Sequence, residues 1–132
     1  DEVEPDGQPN AKNIPTSTLK TNVYYHLGLA HYLKGDFAAA ADAYRLCMEH
    51  SKNPDMQVAT VHWQYMTLRR LGREGEAAAV LEPITAGMEI IENGSYHRLL
   101  WAPARPVAAS IRSGTQWPWS IASGSTAAMI SA

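Results

Sequence analysis

From about Thr21 to Ile91, apolar side chains return at three- and four-residue intervals, the spacing that gathers them on one face of a helix. Polar breaks at Lys34-Gly35-Asp36 and Asn53-Pro54-Asp55 cut this stretch into helices of roughly a dozen residues. The first is expected over about Thr21 to Leu33, with a stripe of Val23, Leu27, Ala30 and the rings of Tyr24 and His31. Gly35 supplies a left-handed cap, and Asp36 can accept the free N–H groups that open the next helix. There Phe37, Ala40, Ala41, Tyr44, Cys47 and Met48 share one stripe, while Asp42, Arg45 and Glu49 face away.

Pro54 disfavours helical geometry in the residue before it, so the second helix stops there and Asp55 is expected to cap the third. That third helix, about Met56 to Leu71, is apolar on more than one side through Ala59, Val61, Trp63, Tyr65, Met66 and Leu68, and should be the most buried. Gly72 ends it. A fourth begins near Gly75 with Ala77, Val80, Leu81 and Ile84 inward. Pro83 breaks that pattern at a cost of about 3 kcal/mol for an interior proline, so a kink is expected at 79–83, with the helix resuming through Met88 and Ile91.

Two helix pairs with short turns invite a search for repetition. Gly35 and Gly72 are 37 residues apart, and so are Ala40 and Ala77. The first unit reads Tyr24-x2-Leu27-Gly28-x2-His31, then Ala40-x3-Tyr44, then Pro54. This resembles the tetratricopeptide (TPR) pattern W-x2-L-G-x2-Y, A-x3-F, P, with Tyr for Trp and His for Tyr. Small Gly28 and Ala40 fall where two helices cross closely, with Tyr24 and Tyr44 filling the space beside them. The second unit is degenerate: Gln64-Tyr65 replaces Leu-Gly and Glu74 stands at an aromatic position, while Ala77 and Leu81 are kept. The expected fold class is therefore all-α, an α-solenoid fragment of four to five helices. The stretch also looks similar to bacterial repeat proteins, in which a helix continues past 95–100.

The chain divides into an extended connector over 1–17, rich in Pro, Gly and Asn, the repeats over 18–100, and a tail over 101–132. The tail has no Asp, Glu or Lys and holds three of the four Trp. Such usage resembles a GC-rich gene read in a shifted frame. Across 132 residues the net charge is −2, which offers no basic field to nucleic acid or an anionic membrane. No apolar run is long enough to span a bilayer. The single Cys47 excludes an internal disulfide and leaves the compartment open, cytoplasmic or secreted.

The resemblance implies a noncatalytic scaffold whose inner groove, lined by the first helix of each pair, binds a protein or peptide. Position counting puts Asn22, Tyr25, Leu29 and Tyr32 on that face, with His62, Met66 and Arg69 in the second unit. The same residues could instead pack against a neighbouring repeat, and uncovered ends would favour self-association. A docking or regulatory segment of a larger enzyme is the alternative. Carboxylate-clamp members hold a peptide terminus with Lys, Asn and Arg; Asn22 and Arg69 fit such places, but Leu29 and His26 do not.

No catalytic residue, cofactor site or metal site is expected. His26 and His31 lie five positions apart, about 140° around a helix, and His62 has Met66 at i+4 with no H-E-x-x-H motif. His31 occupies an aromatic position and is expected to be partly buried. Cys47 falls on the inner stripe of its helix, with His50 directed elsewhere, so the thiol should be inert. Arg69, Arg70 and Arg73 read as a solvated helix end.

Overall fold

A computed structural model describes residues 9–101, together with the backbone of Pro5–Asp6. Five helices are seen among these residues: α1 (Leu19–Leu33), α2 (Phe37–His50), α3 (Pro54–Arg70), α4 (Glu74–Ala79) and α5 (Gly94–Trp101). The chain is all-α apart from a two-residue antiparallel pairing of β1 (Pro5–Asp6) with β2 (Ser17–Thr18). Part of the connector is therefore folded back against the start of α1. The tail expected over 101–132, with the shifted reading frame suggested for it, lies outside the described residues except for Trp101, which ends α5. No described helix is long and apolar enough to cross a membrane.

Local chemistry sets the helix ends. α1 starts two residues earlier than its periodicity suggests, because Thr18 and Thr21 form a reciprocal capping box. Asp36 opens α2 by accepting the Ala39 N–H at 3.2 Å. The turns after α1 and α3 are built alike. Gly35 and Gly72 take φ of +80° and +70°, a conformation costly to any residue with a β-carbon. The following N–H then reaches back five residues, Asp36 to the His31 carbonyl and Arg73 to that of Leu68, both at 2.9 Å.

Three expectations are corrected. Asn53, not Asp55, caps α3: its side chain accepts the Asp55 N–H at 2.8 Å, and Asp55 sits inside the first turn. The fourth helix does not kink and resume. It ends at Ala79, whose carbonyl a helical Pro83 ring would strike, and turns follow to the start of α5. At its other end Arg73 stands where α2 has Asp36, and no side chain caps the opening N–H groups. The α1 stripe is also misplaced: Val23 and Leu27 are 56% and 45% exposed, whereas Thr21 and Gly28 are buried. Small residues on that side let α2 approach more closely than a branched stripe would allow.

α1 packs on α2, α2 on α3, and α3 on both α4 and α5, with α1 also touching α3. α3 lies at the centre and buries Val58, Ala59, Val61, Tyr65 and Leu68 on more than one side. Val58, Val61, Tyr65 and Leu68 meet Ala41 of α2 and Ala77, Leu81 and Ile84 of the segment beyond α3 in one core. Each large aliphatic side chain fully removed from water contributes about 1.5–3 kcal/mol, so the centre of the stack holds most of the stability.

Candidate functional site

The N-terminal ends of α1, α3 and α5 lie side by side, and a cavity of about 270 Å³ opens between them. Asn22 and Tyr25 line it from α1, Met56 and Ala59 from α3, and Asn93 and Tyr96 from the start of α5. Thr16 and Ser17 of the connector border one end. The connector is fixed across that end by two contacts: Asn53 Nδ2 donates to the Pro15 carbonyl at 3.2 Å, and Thr16 Oγ1 donates to Glu92 Oε2 at 2.7 Å. Before it, Asn10 Oδ1 accepts the N–H of Lys12 and Ile14, an Asx turn that shapes the loop.

One buried carboxylate holds the third wall in place. Asp55 is fully buried, and its Oδ1 accepts the N–H of Glu92 and of Asn93, both at 2.7 Å, while Oδ2 accepts that of Ile91 at 2.9 Å. Asn93 Nδ2 returns a bond to the Asp55 carbonyl at 3.1 Å. The α3 N-terminus favours the negative charge, and three N–H donors replace the water it gave up.

An aromatic bed adjoins the cavity. Tyr25 and Tyr96 line it together, and burial first, with the neighbouring Tyr96 second, pushes Tyr25 ionisation well above the ordinary phenol range. Tyr25 meets Tyr44 edge to face at 6.3 Å, and Tyr32 meets both Phe37 and Trp63 at 5.3 Å. His62 stands between Trp63 and Tyr96, 4.9 Å from the latter ring, and burial lowers its pKa. The Tyr44 hydroxyl is buried without a hydrogen-bond partner among the described residues. Burial pushes the Tyr44 phenol upward as well.

Of the groove residues expected from position counting, Asn22 and Tyr25 line the cavity. Tyr32 and His62 belong to the aromatic bed. Leu29 is half-buried outside the lining, Met66 packs against the core, and Arg69 pairs with Glu74 at the far end of α3. Sequence reasoning missed the α5 contribution, although a signal existed. The 37-residue offset carried from Asn22 through Ala59 leads to Tyr96, and these three residues, on α1, α3 and α5, all line the cavity. Thr16 and Ser17 carried no such signal.

The remaining chemical candidates are spread out. His31 is partly buried, 3.7 Å from Asp36, and His26 is exposed beside Tyr25. Cys47 is fully buried with Sγ 3.3 Å from the Thr21 carbonyl and 3.2 Å from Thr60 Oγ1; burial pushes the thiol pKa up. His50 stacks on Tyr24 instead. The arginines are not simply solvated: Arg73 faces Glu76 at 3.8 Å, and Arg70 lies over the Phe37 ring. Among the described residues no group of three His, Cys, Asp or Glu could hold a metal ion.

Against this geometry, comparison with known proteins adds no relative: no family model matches the chain, and neither do curated proteins or solved structures.

Proposed function

We propose that this chain is a noncatalytic binding module of the tetratricopeptide type, and that the face formed by α1, α3 and α5 receives a polypeptide segment of a partner. The observation that carries the reading is the cavity itself, which lies between α1, α3 and α5 and is lined by Asn22, Ala59 and Tyr96, each 37 residues from the next. The matching turns at Gly35 and Gly72 support a helix–turn–helix repeat beneath it. Tyrosine, methionine and asparagine suit recognition, because they offer large apolar area with hydrogen-bonding ends. The unpaired buried hydroxyl of Tyr44, packed against Tyr25, is compatible with a surface tuned for occupancy rather than for stability alone.

Selection from a random displayed peptide library, followed by amide-shift mapping of the selected peptides, tests this. Shifts should concentrate on Asn22, Tyr25, Asn93 and Tyr96, and Tyr25→Ala should weaken binding by about tenfold, as expected for a central aromatic contact. Shifts concentrated instead around Arg45 and Gln64, beside a second cavity between α2, α3 and α4, would end the proposal.

A further inference from the structure

The charge pattern around the cavity limits what it can hold. Its lining is uncharged: Asn22 and Asn93, Thr16 and Ser17, and the apolar surface of Tyr25, Tyr96, Met56 and Ala59. Two carboxylates bond to groups that border it. Asp55 lies beneath with its carboxylate engaged by three backbone N–H groups, and Glu92 sits at the rim holding Thr16. A free carboxylate entering here would lose its hydration and meet no cation in the lining. An ammonium group would find neither carboxylate inside the lining and would be desolvated in turn.

Size and shape narrow the choice further. At about 270 Å³ the space is just under the range of roughly 300–1,000 Å³ that takes a drug-sized ligand. The connector closes one end through Pro15 and Thr16, and Tyr25 and Tyr96 line the space from α1 and α5. An extended chain therefore cannot run through it, but one side chain with its adjoining amides can enter.

We infer that the cavity seats a single bulky, uncharged side chain from an internal stretch of a partner polypeptide, with the Asn22 and Asn93 amides reading the flanking peptide groups. This rests on the proposed binding role of the same face and adds its ligand class. Chain termini and charged side chains are discriminated against by desolvation, which makes the preference a property of the lining rather than of any one contact.

The test is an NMR titration of the full chain with three small probes at millimolar concentration: N-acetyl-phenylalaninamide, N-acetyl-phenylalanine and phenylalaninamide. They share one ring, and each charged probe replaces one of the two amide groups of the neutral probe by a free charged end. The neutral diamide should shift the Asn22 and Asn93 side-chain amides and the Met56 methyl. The carboxylate and ammonium probes should bind roughly tenfold more weakly or less. Asn22→Ala should weaken the neutral probe by about threefold with its spectrum otherwise folded. Equal or stronger binding of either charged probe at these resonances overturns the inference, as does silence from all three. If library-selected peptides still map to the face in that case, the binding role stands and only the ligand class falls.

Discussion

Gly28 of α1 lies so close beneath the Tyr44 ring of α2 that a β-carbon built on it would stand 2.6 Å from Cε1 and 2.8 Å from Cδ1. The ring is fully buried and is itself pressed by Tyr25, so it has little room to move away. Gly28→Ala should therefore destabilise the chain by about 1–3 kcal/mol through overpacking, despite the better helix propensity of alanine. Urea titration reads this directly, and Tyr44→Leu in the same background should recover part of the loss. An unchanged midpoint for Gly28→Ala would show that the two helices are not in close contact there.

Tyr44→Phe should behave in the opposite way. The hydroxyl it removes is buried without a partner among the described residues, so the folded state loses no hydrogen bond. Stability is expected to stay level or rise by up to about 1 kcal/mol. A drop of more than that in thermal or urea unfolding would reveal a partner for the hydroxyl, such as an ordered water.

Asp55 joins α3 to the segment before α5, and its removal should loosen that segment selectively. Asp55→Ala leaves three N–H groups, on Ile91, Glu92 and Asn93, without their acceptor, a loss of at least about 3 kcal/mol. Hydrogen exchange should show lost protection over 91–101, while α1 and α2, joined by their own extensive packing, exchange much as before. Uniform loss across all helices would mean that the stack unfolds as one unit.

His62 makes stability depend on pH. Burial lowers its pKa below the ordinary value of 6.5, so the unfolded chain binds a proton that the folded chain refuses. The contribution is fully present above about pH 6.5 and is lost as pH falls from there toward the folded pKa, at no more than about 1.4 kcal/mol per pH unit. His62→Gln should flatten this part of the stability profile. A profile with the same slope in both proteins would assign the effect to another group.

Cys47 should resist thiol reagents in the folded protein. Its sulfur is fully enclosed and held among Thr21, Ser51 and Thr60, and burial pushes ionisation upward, which lowers the thiolate fraction at neutral pH. Modification should proceed at the rate of opening and accelerate in denaturant. Rapid labelling of the native chain would contradict the packing around α2.

The features legible in the sequence were those decided by neighbours along the chain. The turn glycines at 35 and 72, the Asp36 cap and the Ala40, Tyr44, Cys47 stripe all follow from spacing within one or two helical turns. Asn22 and Tyr25 were placed on the α1 face by counting along the repeat pattern that the chain resembles, and the 37-residue offset contained the clue to Tyr96.

Tertiary structure decided the rest, because it depended on groups far away in sequence. Which side of α1 turns inward was settled by how closely Tyr44 could approach Gly28, against the branched residues Val23 and Leu27, which remain half-exposed. Asp55 had the composition of a local cap, yet Asn53 fills that role and the carboxylate reaches Ile91, Glu92 and Asn93 instead. The cavity likewise exists only because a connector and a fifth helix are drawn to the same edge of the stack. Periodicity records which face a residue occupies, but the donors and rings that meet that face are chosen by packing.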